Sequence, residues 1–210
     1  MTKKKPVFAF IDASNLFYGG EKSLGWKIDY QKLISYIKKQ YRVSKVYYYG
    51  GVELDGFTYS VLEKKSLNLN KLLVYLHQRL KLKHLSESQI LVLGRHIQRI
   101  KFYRKLAKFG YILRLRPVKI YRNQEGEMTK KANCDVDMTF DLMRYLDIYS
   151  GVLVLSGDGD FAVVLKHLKE IGKKVTILAR GERTAKEIRQ LAGKDFRDFR
   201  YLREILKFKP

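Results

Sequence analysis

Five aspartates carry most of the chemistry that this sequence of 210 residues offers. Asp12 ends the apolar run "VFAFID", Asp158 and Asp160 follow "GVLVL" inside "SGDGD", and Asp135 and Asp137 alternate in "CDVDM". Each has a local use as well. Asp12 suits a turn cap with Ser14 and Asn15, Asp135 and Asp160 suit helix N-caps, and Asp137 with Asp141, four apart, suits a solvent face. As a set they are harder to explain, because neighbouring carboxylates repel and raise one another's pKa. A bound hard cation removes that penalty, and Mg²⁺ takes a few carboxylates together with waters and substrate phosphates. The matching reaction is metal-assisted hydrolysis of a phosphate ester, in which the cation acidifies a bound water and neutralises charge in the transition state. Histidine acid–base catalysis is not expected, since His77, His84, His96 and His167 all fall in helical stretches away from strand ends. The one cysteine, Cys134, excludes an intrachain disulfide and, with no His/Cys cluster, a zinc knuckle.

Strand ends must deliver these acids. Short β-rich runs at 6–12, 44–51, 111–122, 151–157 and 173–179 read as five strands, the third bending at Pro117. Amphipathic stretches at 28–41, 135–146, 161–172 and 183–192 read as helices, with Gly172 closing the third of them. Alternation of helices with continuous apolar strands means a parallel α/β sheet covered on both faces, here expected in the order 3-2-1-4-5. In such a sheet the ligand crevice lies beyond the carboxyl ends of the strands where the order reverses. Asp12, Asp158 and Asp160 then share that crevice, and the helix that starts near Asp135 reaches it. The glycines of "SGDGD" suit a tight turn and close backbone approach, and Ser156 is placed to bond a carboxylate or phosphate. The length fits a single domain spanning 1–210. Within it, about 55–87 is a helical insertion whose Leu69, Leu72, Leu73, Leu76 and Leu80 form one stripe.

Charge points to the partner. Lys and Arg number 43 against 21 Asp and Glu, a net charge of +22, and so large an excess is tied to a polyanion more often than to a solvated surface. The 15 Tyr and 11 Phe favour nucleic acid over an anionic membrane, because aromatic rings stack on bases. Lys130 and Lys131 stand just before Asp135, and Arg180 and Arg183 follow the fifth strand on the carboxyl-end side. In "RHIQRIKFYRKLAKFGY" (95–111), Arg95 and Arg99 share a helical face, and further cations interleave with Phe102 and Tyr103. That stretch is equally well an amphipathic helix with Ile100, Leu106 and Phe109 in the core. Tyr18 and Trp26 either stack a base or pack. The tail "FRDFRYLREILKFKP" either closes the core or pairs two copies as a homodimer. Met1 to Lys5 lead straight into a strand and no apolar stretch reaches membrane-spanning length, so the expectation is a cytoplasmic protein.

"FIDASNL", "CDVDMTFDLM" and "LSGDGDFAVVL", in this order, resemble the NYN domain family, the LabA-like branch of the PIN-like nucleases. The resemblance covers most of the chain except 55–87 and the last residues. It implies a PIN-like α/β fold and an acidic site that binds Mg²⁺ or Mn²⁺ and cleaves RNA. Carried over by position, it makes Asp12, Asp135, Asp158 and Asp160 the metal-binding and catalytic acids, with Asn15 in support and Asp137 a weaker match. The helical insertion departs from the pattern, and the rival within the family is a module that holds RNA or a protein without cutting. "GDGD" is also similar to the fourth motif of haloacid-dehalogenase-like phosphatases, but these need a second acid two residues after the nucleophile, where this chain has Ser14.

Overall fold

The computed structural model describes residues 5–17, 22–60, 62, 66–122 and 128–209, with the backbone alone at 122 and 128–131. Six parallel strands form the main sheet: β1 (Val7–Asp12), β2 (Val43–Val52), β3 (Ile112–Pro117), β6 (Gly151–Leu155), β7 (Lys174–Ala179) and β8 (Phe196–Asp198). Their order is β3-β2-β1-β6-β7-β8. The five expected strands keep the expected order, and β8 from the tail adds a sixth at the edge. The third strand is shorter than expected. It stays paired with β2 as far as Pro117, opposite Val52, the last residue of β2. Val118 then donates its N–H to the Val52 carbonyl at 2.9 Å. Beyond this point β2 offers no partner, and Lys119–Arg122 (β4) instead pairs antiparallel with Met128–Lys131 (β5). Proline, which has no N–H to give a ladder, suits the edge position where this change occurs.

Alternation along the strands divides the core in two. Phe8 and Phe10 pack with Tyr47, Tyr49, Val152, Val154, Val175 and Ile177 on one face. Helices α6 (Cys134–Arg144), α7 (Ala162–Glu170) and α8 (Lys186–Ala192) cover that face through Met138, Leu142, Leu165, Leu168 and Ile188. Ala9 and Ile11 face the other way with Val46, Tyr48, Leu153 and Leu155, under α3 (Tyr30–Tyr41), α4 (Leu69–Leu80) and α5 (Glu87–Phe109). Two short turns, α1 (Ala13–Asn15) and α2 (Lys22–Leu24), and the terminal α9 (Arg203–Leu206) are the other α-helices among the described residues. Burial on both faces is why the strands read as unbroken apolar runs.

Helix α4 sets Leu72 and Leu76 into the same cluster as Leu93 and Ile97 of α5, so the stripe read in the sequence is a core stripe. A capping box starts α5, with Ser86 accepting from Gln89 N–H and the Gln89 side chain accepting from Ser86 N–H. Left-handed glycines end α5 (Gly110, φ 95°) and α7 (Gly172, φ 78°). The tail closes the core: Phe199 and Leu206 are buried, and Asp29 N–H bonds the Leu206 carbonyl at 2.8 Å. Trp26 packs rather than stacks, at 8% exposure, and Tyr18 lies outside the described residues. Asp141 does not face solvent. It is 4% exposed and accepts hydrogen bonds from Tyr49 Oη and Arg114 Nε, which fastens α6 to β2 and β3. Among the described residues, no helix is long and apolar enough to cross a membrane.

Candidate metal-binding active site

The order of the sheet puts a reversal at β1, which pairs with β2 on one side and β6 on the other. Asp12 is the last residue of β1 and caps the turn that follows. One carboxylate oxygen, Oδ1, accepts the backbone N–H of Ser14 at 2.9 Å and of Asn15 at 3.1 Å. Its other oxygen, Oδ2, accepts the Ser156 hydroxyl at 3.1 Å, with Ser156 only 2% exposed. Ser156 Oγ in turn accepts the Asp158 N–H at 3.2 Å, and Asn15 Oδ1 accepts the Gly157 N–H at 2.9 Å. Asn15 and Ser156 therefore tie the turn after β1 to the loop after β6. The cap in that loop is Asp158, whose carboxylate accepts the Asp160 N–H at 3.0 Å, while Asp160 itself is exposed.

Asp135 enters from the first turn of α6. Its charge is close enough to Asp12 to act on it, and the Asp12 pKa is raised to about 6. Burial is the largest cause and Asp135 adds to it, against the hydrogen bonds from Asn15, Ser156 and Ser14. Cys134 lies in the same field: burial first, then Asp137, Asp12 and Asp135, push its thiol up to about 12, so it is an inert thiol at neutral pH. Asp137 is turned the other way and forms a two-pronged pair with the Arg116 guanidinium on β3.

Two residues outside the motifs shape the "SGDGD" loop. A Cβ on Gly157 would lie 2.6 Å from Thr184 Oγ1 and 2.9 Å from Thr184 Cα, and one on Gly159 would lie 2.3 Å from Glu187 Oε1. The glycines thus let the start of α8 pack onto the loop, and Glu187 brings another carboxylate to its rim. Nothing local to "RTAKEI" marks this, because the packing joins segments 25 or more residues apart.

The donor set is all hard oxygen, and it contains a buried carboxylate whose charge a second carboxylate opposes; both features suit Mg²⁺ or Mn²⁺. Among the described residues, no three His, Cys, Asp or Glu side chains form a group able to hold a metal ion by themselves.

The basic candidates are dispersed. Arg180 is nearly buried and pairs with Glu182 at 2.9 Å, whereas Arg183 is exposed. Arg95 is exposed, and Arg99 pairs with Glu53 at 2.8 Å. Lys130 and Lys131 belong to β5, which runs by way of Ala132 and Asn133 into α6. Tyr103 is buried and Ile100 and Leu106 are core, so the 95–111 stretch packs as an amphipathic helix that leaves Arg95, Arg99, Lys101, Lys105 and Lys108 exposed. His96, though mid-helix, reaches beyond the end of β2: its Nδ1 meets Asp55 and its Nε2 is 3.9 Å from Glu53.

The NYN domain model matches residues 6–200. The low amplitude and bright protein LabA of Synechococcus elongatus (strain ATCC 33912 / PCC 7942 / FACHB-805) is 21% identical over 195 residues, which are 91% of this chain and 83% of that protein. The crystal structure of VPA0982, a Vibrio parahaemolyticus RIMD 2210633 protein of unknown function, superposes with a TM-score of 0.57 at 19% identity. It covers 93% of this chain and 94% of its own, which is a likeness of fold. The T5 D15 protein co-crystallized with metal ions gives a TM-score of 0.46 at 14% identity, over 88% of this chain and 59% of its own. With the family model matching nearly the whole length, this chain belongs to the NYN domain family.

Proposed function

We propose that this NYN protein is a metal-dependent ribonuclease that hydrolyses RNA phosphodiester bonds at the carboxyl ends of β1 and β6. The observation that carries the reading is Asp12: a buried carboxylate, opposed by Asp135, at the reversal of the sheet. In this reading Asp12 and Asp135 hold Mg²⁺ or Mn²⁺ directly. Asp158, whose backbone N–H bonds Ser156 Oγ, and the exposed Asp160 would orient the attacking water. When bound, the cation supplies an acidified water and neutralises charge on the scissile phosphate. Ser156 and Asn15 keep the two loops in register, so that the acids stay fixed as substrate enters. Asp137 contributes less, because its charge is already matched by Arg116. In this reading Arg183, Lys130 and Lys131 meet phosphates flanking the cut, and Arg95 contacts the RNA farther out along α5.

The test is cleavage of a mixed RNA pool by wild type and Asp12→Asn, purified identically, with and without Mn²⁺. The amide keeps size and a carbonyl oxygen but loses the charge that holds a hard cation. We expect Mn²⁺-dependent cleavage by wild type, stopped by EDTA, and at least a hundredfold less by the variant, about 3 kcal/mol in the barrier. Equal cleavage by both preparations would mean a contaminating ribonuclease. Firm RNA binding by both with cleavage by neither would move the assignment to a non-catalytic RNA-binding module.

A further inference from the structure

Helix α5 carries a second cationic feature, separate from the acids. Lys101, Arg104, Lys105 and Lys108 fall at i, i+3, i+4 and i+7 and line one concavity of about 390 Å³ with Phe109. Lys101, Lys105 and Lys108 are exposed and Arg104 is half-buried. Lys105 Nζ stands 5.7 Å from the centre of the Phe109 ring. No ion pair among the described residues involves any of these four cations, in contrast to Arg99, two residues before Lys101, which Glu53 neutralises.

The spacing makes this more than a solvated face. Lys101 with Lys105, and Arg104 with Lys108, are like charges four residues apart, an arrangement that destabilises a helix and that an acidic residue at either place would relieve. The stripe instead concentrates positive charge over about 10 Å of helix. An anion with charges repeated along its length offsets that repulsion, and a nucleic-acid backbone is such an anion. The position fits as well. Tyr103, on the opposite side of α5, donates its hydroxyl to the Gly51 carbonyl at 2.6 Å, so α5 flanks β2, the strand next to the one that ends in Asp12.

We propose that the Lys101–Lys108 stripe of α5 is a binding site for the RNA backbone remote from the scissile bond. It favours substrates long enough to reach from the acid crevice round to α5. The assignment of RNA as the polyanion rests on the ribonuclease reading above, whereas the existence of an anion-binding stripe does not.

The experiment uses the full chain in EDTA, where binding is read without cleavage. Fluorescence anisotropy titrations with a long single-stranded RNA compare wild type with a variant carrying Lys101→Gln, Arg104→Gln, Lys105→Gln and Lys108→Gln. We expect at least a tenfold loss of affinity near physiological salt. The slope of log K against log salt should become shallower by about 0.7 for each phosphate that the variant no longer neutralises. The thermal midpoint of the variant should be unchanged or higher, because like-charge repulsion has been removed. With Mn²⁺ present, cleavage of a long RNA should slow while cleavage of a short oligonucleotide stays at the wild-type rate. Equal affinity and equal slope for the two proteins would overturn the proposal. So would wild-type binding to phosphatidylserine vesicles but not to RNA. Loss of RNA binding in the variant, with no cleavage by the wild type under any condition, would leave the stripe standing and remove the ribonuclease reading.

Discussion

Asp12 accepts three hydrogen bonds, and each favours its charged form, yet its pKa rises to about 6 because burial outweighs them. The direction sets two expectations. A carboxyl whose folded pKa lies above its ordinary value of 3.8 binds more protons in the folded state between those values. Its contribution to stability is therefore fully present below about pH 4 and is lost as pH rises through about 6. At pH 7 the ionised group costs on the order of 3 kcal/mol. Asp12→Asn should accordingly raise the thermal midpoint of the metal-free protein at pH 7 and have little effect at pH 4; a lower midpoint at pH 7 would contradict this assignment. In the proposed role of Asp12, protons compete with the cation for the same oxygens. Mn²⁺ affinity, read by calorimetry, should fall about tenfold per unit as pH drops below 6, since one proton must leave for each ion bound.

At the scale of elements, the site depends on the loop after β6 being held between the turn after β1 and the start of α8. The β1 side is held by side-chain hydrogen bonds and the α8 side by close packing on two glycines. Gly157→Ala tests the second. Its Cβ would lie 2.9 Å from Thr184 Cα, a backbone atom that cannot swing aside, so the loop or α8 has to shift. Overpacking of this kind costs about 1–3 kcal/mol. We expect a lower midpoint of unfolding and a larger loss of cleavage than of RNA affinity, because the shift moves Asp158 relative to Asp12 and leaves the basic surface intact. Proportionate losses of both would show that the loop does not position the acids. The network of Tyr49, Arg114 and Asp141 does the corresponding work for α6, seating the helix that delivers Asp135.

Over the whole molecule, a charge of +22 on 210 residues means that folding gathers repelling groups. The ion pairs offset this locally, at Arg99–Glu53, Arg114–Asp141, Arg116–Asp137 and Arg200–Asp198. Among the described residues, no ion pair compensates the α5 stripe. Salt should therefore stabilise the protein. Raising ionic strength from about 0.01 M to 0.15 M shortens the Debye length from about 30 Å to 8 Å and should raise the midpoint of unfolding by a few degrees. A short RNA should do the same at far lower concentration through preferential binding to the folded state. A midpoint that falls with salt would mean that the ion pairs outweigh the repulsion.

The parallel sheet and its order were legible because β1, β2, β6 and β7 are buried on both faces, which leaves an unbroken apolar signature, and because Asp12 and "SGDGD" stand where those runs stop. Asp12 as the cap for Ser14 and Asn15 was legible too, since that bond is local. What each acid meets was not. Asp158 rather than Asp160 caps its turn, Asp137 leaves the cluster for Arg116, Asp141 is buried against Tyr49, and Thr184 and Glu187 press on the loop glycines. The sixth strand was missed because three residues of β8 carry too little periodicity to read, and pairing with β7 alone makes them a strand. By itself the sequence determined which residues are apolar, which are charged and where the runs end, properties each segment has alone. The tertiary structure alone decided which distant partner neutralises, caps or crowds each acid, because those energies exist only between segments that folding brings together.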